Sequence, residues 1–555
     1  MGRPRLEILD ATLRDGVQAE GVSLSPADKV RLARALDDLG VDYIEGGWVG
    51  VNPKDDAFFE LMRNARLRRA RLAAFGLTRR AGMAAEKDPR MAALAGCGVD
   101  TVSLVGKASE FHVRRALRVG RAENLALIFD SIAFLKNHGK RVFFDAEHFF
   151  DGLAEDPEYA LAAAAAARDA GADLVVLCDT NGGRLPEEIA FGVERARARL
   201  GDFPVGFHGH NDAGLALANT LAAAAAGAVH LQATLNGFGE RCGMTDLCAL
   251  LPALELKLGR RVVGARRLAR LASVSRLAYE LANRPPRPEQ PYVGRSAFAH
   301  KGGLHVSAVR RDATTYEHVV PDAVGNGRRV LASELSGKAS MAALLPEIAG
   351  RPELTQRLLD RVQKLEAEGS SFEDADGSFG LLLARMSPDY AKPFTLQSFR
   401  VITDRAIEDP IPDIPGAAAI LPLDALTASA PRRALSEASA RVRIGPAELH
   451  TVAEGEHGPV SALDAALRKA LAHGFPLVEG IRLVDYRVHI VNAEAGVAAR
   501  VRVVISWRAG RQAFGTMGVS EDVLAASCRA LCDAYEWLIL DRGAKAVHRR
   551  RPHRL

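Results

Sequence analysis

The chain has 555 residues, too many for one hydrophobic core and enough for about two to four domains. Hydrophobic residues make up 48% and charged residues 25%, an ordinary globular balance, and the longest apolar runs, Leu161–Ala167 and Leu221–Ala226, fall far short of the roughly 20 residues of a membrane span. The net charge of +5 is modest, and its visible concentration at His548–Arg554 carries no interleaved aromatic residue, which argues against a nucleic-acid partner. Six cysteines (Cys97, Cys178, Cys242, Cys248, Cys528, Cys532) lack CxxC spacing and read as small buried residues of a reducing compartment. A strand-like segment begins at Leu6, which speaks against a signal peptide. The expectation is a cytoplasmic protein with neither membrane nor nucleic acid among its partners.

Up to about residue 260, short β-branched runs alternate with longer helical stretches rich in Ala, Leu and Arg. Strands are predicted at Leu6–Leu9, Tyr43–Gly46, Leu72–Gly76, Thr101–Val105, Val142–Ala146, Leu174–Cys178, Val205–His208 and Leu231–Leu235. Helices are predicted at Pro26–Leu39, Glu123–Asn137, Pro157–Ala170, Pro186–Leu200 and Ala213–Ala226, several with proline in the first turn, where its missing N–H costs little. This rhythm fits a (β/α)8 barrel, with a doubly wound open sheet as the alternative. The polar residues decide between them. Asp10 to Asp15 follow the first strand, Glu45 the second, Lys107 the fourth, Glu147 and His148 the fifth, Asp179 to Asn181 the sixth, His208 to Asn211 the seventh and Asn236 to Arg241 the eighth. Chemistry in such barrels collects at the C-terminal ends of many strands at once, so the barrel is expected.

Beyond the barrel the strand rhythm stops until Tyr390-Ala391-Lys392-Pro393, after which Thr395–Ile402, Ala440–Ile444, Val484–Ile490 and Val501–Trp507 alternate as strands. Ser461–Leu471 and Glu521–Trp537 read as helices, and Asp404–Ser439 as a long loop rich in Pro, Ala and Asp. The predicted class is therefore α/β: a TIM barrel over residues 1–265, helical linker subdomains over 266–392, an α+β domain over 393–540 and a basic disordered tail over 541–555.

His208-Gly209-His210 puts two imidazoles on one side of a strand end, because alternate strand residues share a face. One carboxylate would complete a 2-His-1-carboxylate set, the donor chemistry of a catalytic divalent ion with open positions. Asp15 is the natural third group, since only the eighth strand of a closed barrel separates the first from the seventh. Asp15, His208 and His210 are thus the expected ligands. Gly237, Gly239 and Gly243 read as turn glycines rather than a dinucleotide fingerprint.

Longer motifs add to this. Asp10-Ala11-Thr12-Leu13-Arg14-Asp15-Gly16 with Gln18 resembles the D-T-T-L-R-D-G-x-Q signature of the 2-isopropylmalate synthase superfamily, and so do His208–Asp212, Asn236–Arg241 and Phe298–His305. Phe144–Gly152, Leu177–Gly183 and Ser333–Lys338 are most similar to its citramalate synthase branch. The resemblance implies a Claisen-type condensation of acetyl-CoA with a 2-oxo acid, pyruvate for this branch, followed by thioester hydrolysis. It implies Mn2+, Mg2+ or Zn2+ at the three ligands. It further implies that Arg14 stabilises developing negative charge on oxygen, that Thr180 contacts the substrate carboxylate, and that Glu147, His305 and Tyr316 handle protons and water. Glu45 is left open between an acid at the substrate and a structural partner of an arginine. Asp10 reads as a hydrogen-bonding support rather than a ligand, and Asp179 as support or structure. For the C-terminal domain the resemblance implies a regulatory, homodimer-forming module with isoleucine as effector and Ala453–Val460 as its ligand loop.

The chain departs from the family's pattern at two motif positions. Threonine is usual where this chain has Ala11, and asparagine is usual after Cys242-Gly243, where it has Met244. A thioether is a poor ligand for a hard ion, so three protein ligands are expected. Asp404–Ser439 is also longer than the family's usual connection. The competing readings are a 2-isopropylmalate or homocitrate synthase acting on another 2-oxo acid, carbon–carbon cleavage as in 3-hydroxy-3-methylglutaryl-CoA lyases, and an amino-acid sensor with a weakened metal site. The long C-terminal domain argues against the lyase.

Overall fold

A computed structural model describes residues 5–63, 65, 67–330, 351–404, 435–455, 457–510 and 512–549. The Ser333–Lys338 motif, most of the predicted 404–439 loop and the last residues of the tail lie outside the described residues.

Eight parallel strands close into a barrel: β1 (Glu7–Asp10), β2 (Tyr43–Trp48), β3 (Arg71–Leu77), β4 (Thr101–Lys107), β5 (Arg141–Glu147), β6 (Leu174–Asp179), β7 (Val205–Gly209) and β8 (His230–Ala233). Closure comes from β1, which pairs with both β2 and β8. The strands are apolar on both faces because each has a barrel side and a helix side. Leu9, Tyr43, Phe143, Leu174, Val176 and Cys178 fill the interior with Ala11 and Met244. Their neighbours Ile8, Ile44, Phe144, Val175 and Leu177 face the surrounding helices.

Local signals place the helices well. Pro26–Leu39 starts behind Ser25, whose side chain accepts from the Asp28 N–H, and stops at Gly40 in the left-handed region. Pro186–Leu200 has the bounds the sequence predicts. Ala216–Ala226 begins three residues later than expected, because Asn211–Gly214 forms a turn and the Asn211 side chain caps the Ala216 N–H. β8 ends before Leu235, whose N–H turns aside to Thr12 Oγ1.

The sequence places a boundary at 265/266, and the packing of the residues just after it is continuous with the barrel. Leu268, Leu271, Ala272, Val274, Ala278 and Tyr279 belong to the barrel's own core, so the segment cannot separate from it. The first compact unit holds residues up to Ala299 together with Glu317–Arg329, and the second holds His300–Tyr316 and the chain from Val330 onward.

In the second unit, Thr395–Asp404, Leu435–Ile444 and Ala447–Gly455 form one antiparallel sheet, and Ile481–Ile490, Val501–Ala509 and Gln512–Ser520 form another. Across the boundary predicted at 392/393 the helical stretch and the sheets are also in contact. Phe372, Phe379 and Leu358 of the helical stretch share a core with Val504 and Met517 of the second sheet, and Arg385 pairs with Asp533 and Glu536. Two nine-residue strands of these sheets escaped the sequence reading. Ala447–Gly455 is mostly exposed and carries no clear apolar stripe. In Gln512–Ser520 glycine interrupts the pattern, and Gly515 is required because a Cβ there would sit 1.8 Å from the Asp374 carbonyl oxygen. The terminal helix Val523–Arg549 continues into residues predicted to be a disordered tail, with no proline between Val523 and Pro552 to stop it. No helix among the described residues is long and apolar enough to cross a membrane.

Candidate metal centre

The mouth of the barrel brings Asp15, His208 and His210 together across the β7–β8–β1 seam. Their donor atoms lie within 4.8 Å of one another, and all three side chains are buried. His208 Nε2 and His210 Nε2 are 3.3 Å apart, and each is 3.9 Å from Asp15 Oδ2. The placement follows from local structure. Residues 11–16 turn tightly after β1, with the N–H groups of Arg14, Asp15 and Gly16 all directed to the Ala11 carbonyl, and β7 presents alternate residues on one face.

The electrostatics suit a cation. Burial alone would raise the Asp15 carboxyl, but the Arg14 guanidinium and the two imidazoles outweigh it and hold the pKa below the usual range. His208 is pushed down to about 4 by burial, then by His210, so its ring is neutral near pH 7. Its Nδ1 lies 2.7 Å from Gln232 Oε1, and an amide oxygen only accepts, so Nδ1 carries the proton and Nε2 keeps its lone pair. Gln232 Nε2 in turn donates to Asp145 at 3.2 Å. Asp15 Oδ1 is buried with no hydrogen-bond partner. Two facing imidazole nitrogens and an orphaned carboxylate oxygen are costly where they are buried, and a divalent ion would satisfy them together. The residues present therefore fit such a group.

A cavity of about 560 Å³ opens over this cluster, lined among others by Arg14, Asp15, Glu147, Thr180, His208 and His210. Arg14 donates from Nε to Glu45 at 2.6 Å and from Nη1 to Asp15 at 2.8 Å, and its guanidinium stacks 4.1 Å from the Phe75 ring centroid. Glu45, fully buried, is thus an ion-pair partner of Arg14, one of the two roles the sequence leaves open for it. Glu147 forms an ion pair with Lys107. The Thr180 hydroxyl accepts from the His148 N–H, and His148 stands in the left-handed region at φ 59°. Asp10 accepts from the N–H and hydroxyl of Thr12, while Thr12 Oγ1 accepts from Leu235, which ties the β1 turn to β8. Asp179 accepts from the Arg184 N–H, and burial pushes it up to about 6. His305 and Tyr316 belong to the second unit, where their rings stack at 4.1 Å on an exposed surface.

Gln232 and Asp145 were missed by the sequence reading. The signal was there: Gln232 is a polar residue on a buried strand, and Asp145 stands two before Glu147, on the same face of β5. Met244 is 1% exposed within the barrel's apolar interior. Its backbone is bridged to His210, but its side chain joins the cluster that also contains Ala11. The two departures from the motif thus fall in one apolar layer.

A closed parallel barrel with two imidazoles and a carboxylate buried at its mouth defines a metal-dependent barrel protein, and the HMGL-like family model matches residues 5–277. The model for homocitrate synthase post-HMGL domain-like segments matches residues 292–368, and that for the LeuA allosteric (dimerisation) domain matches 401–539. The chain is 44% identical over 536 residues to the (R)-citramalate synthase of Geobacter sulfurreducens, covering 96% of this chain and 97% of the relative. It is 42% identical over 544 residues to that of Aquifex aeolicus (97% and 98%) and 43% identical over 541 residues to that of Streptomyces coelicolor (97% of each). The chain belongs to the (R)-citramalate synthase family. Among solved structures, it is similar to the hydroxymethylglutaryl-CoA lyase from Pseudomonas aeruginosa over 51% of its length and 96% of that chain, at 22% identity and a TM-score of 0.44.

Proposed function

We propose that the chain is an (R)-citramalate synthase, which joins the acetyl group of acetyl-CoA to C2 of pyruvate, hydrolyses the thioester and feeds isoleucine formation through 2-oxobutanoate. The observation that carries the reading is the buried convergence of Asp15, His208 and His210 in a chain alike over nearly its full length to curated relatives of that activity. Asp15, His208 and His210 would hold a divalent ion (Mn2+, Mg2+ or Zn2+), which when bound would supply Lewis-acid polarisation of a 2-oxo group. Arg14 is oriented by Glu45 and Asp15, and its Nη2, with no protein acceptor among the described residues, offers a fixed cation to the oxygen on which charge develops. Thr180 binds the substrate carboxylate, and Glu147, steadied by Lys107, moves the proton at the acetyl carbon. His305 and Tyr316 are assigned to water and proton handling on the strength of the motif they lie in or follow. The allosteric module takes isoleucine and forms a homodimer, and the protein works in the cytoplasm.

The test is a panel of 2-oxo acids given to purified protein with acetyl-CoA and each ion, reading free CoA. Release with pyruvate is expected. Release only with 3-methyl-2-oxobutanoate would move the chain to 2-isopropylmalate synthase, and only with 2-oxoglutarate to homocitrate synthase. No release, no stoichiometric metal and retained isoleucine binding would make it a sensor.

A further inference from the structure

At the other end of the barrel, where the strands begin, a cavity of about 590 Å³ is walled by six arginines: Arg68, Arg69, Arg261, Arg266, Arg267 and Arg270. Two segments present them, a loop at Arg68–Arg69 and the stretch Arg261–Arg270 that contains the short helix Ala265–Leu268, and each is fixed by one carboxylate that takes three successive backbone N–H groups. Asp37 accepts from Arg68, Arg69 and Ala70 at 2.7–2.8 Å. Glu255 accepts from Val262, Val263 and Gly264 at 2.5–3.0 Å. Val262 and Val263 are buried, so the second segment is anchored in the core as well. Arg267 lies across Gly40, where a Cβ would meet its Cδ at 2.7 Å, so that glycine makes room for the guanidinium arm.

The charge in this cradle is not balanced from within. Of the acids in its wall, Asp37 is engaged by the backbone, and Asp38 pairs with Arg270 at 3.1 Å. Arg69 reaches the Gly40 carbonyl and Asp42. Arg267 finds only the Val263 carbonyl, and the guanidinium groups of Arg68, Arg261 and Arg266 have no protein partner among the described residues. Guanidinium forks carried on segments whose backbone is anchored around a concave space match the tetrahedral oxygens of phosphate, and the volume lies in the range of small-ligand pockets.

We propose that this cradle is a binding site for a polyphosphate anion, either the diphosphate of a nucleotide or inorganic pyrophosphate, remote from the metal centre. The inference rests on the two clamped segments and their uncompensated arginines, and it stands whichever 2-oxo acid the mouth accepts. Calorimetric titration of the full-length protein with pyrophosphate and with ADP, at a fixed ionic strength of about 0.15 M, tests it. Saturable binding at one site per chain is expected. The double variant Arg68→Ser/Arg266→Ser should lose at least about tenfold in affinity, with its melting curve and CoA release unchanged. The double variant Arg195→Ser/Arg199→Ser, an equal loss of charge on an exposed helix face, should bind like the parent. Tighter binding of ADP supports a nucleotide occupant, and equal binding supports the phosphates alone. Absence of saturable binding of both, or an equal loss in the control variant, overturns the proposal.

Discussion

At the base of the barrel, Asp37 and Glu255 each accept three backbone N–H groups, whereas at the mouth Asp15 leaves one buried oxygen without a donor and two neutral imidazoles beside it. A carboxylate saturated by amides fixes a loop and leaves nearby arginines uncompensated. A buried carboxylate short of donors does the reverse, because its unmet acceptor favours a cation. The same residue type therefore marks a scaffold at one end and a ligand at the other, and the donor inventory tells them apart.

The largest effects should break that contrast directly. Asp15→Ala and His208→Ala are each expected to lose stoichiometric metal and to lower CoA release by about a thousandfold or more, on the scale of removing a principal electrostatic contributor to catalysis. Circular dichroism should be unchanged, because the core does not depend on the ion. Near-normal turnover with metal still bound would sink the ligand assignment. Asp37→Ala is the counterpart at the base. It should keep its metal but lose about 1–3 kcal/mol of stability in urea, since three amides lose their acceptor.

How far each end was legible in the sequence follows from the same distinction. Asp15, His208 and His210 announced themselves by spacing, because a strand's two-residue period and the closure of the barrel are fixed by geometry. Glu45 stayed ambiguous, since sequence cannot tell whether a carboxylate meets substrate or an arginine 2.6 Å away. The carboxylate clamps at the base were invisible. Asp37 sits in a helical Leu-Asp-Asp-Leu run and reads as a solvated face, and its role depends on a loop 31 residues further on. The same limit hid the strand Gln512–Ser520, whose Gly515 answers to Asp374, far from it in the chain.

A smaller effect tests how the mouth is held. Gln232→Leu removes the acceptor that fixes the His208 tautomer and is expected to weaken metal binding about 10–100-fold, with Gln232→Glu restoring most of it. Direct metal titration separates this from a loss of fold. The pH dependence has a definite sign. Protons compete with the ion for the imidazole, and His208 is held down to about 4, so the parent protein should retain its metal as pH falls from 8 to about 5 and lose it below that. Loss already near pH 6.5 would mean that His208 behaves as an ordinary exposed histidine.

The smallest expected effect concerns Met244. Its thioether packs in the apolar layer that includes Leu9, Ala11, Tyr43 and Phe143. Met244→Leu conserves volume and polarity, so metal affinity and turnover should stay within about twofold and stability within about 1.5 kcal/mol. A tenfold loss of metal would show that the sulfur is a fourth ligand. Met244→Asn alone should cost about 1–3 kcal/mol by placing a carboxamide among apolar neighbours. Adding Ala11→Thr, which returns the hydroxyl usual in the family, should recover part of that cost if the two positions act as one layer. A double-mutant cycle reads the coupling, and an interaction near zero would mean that the two departures are independent.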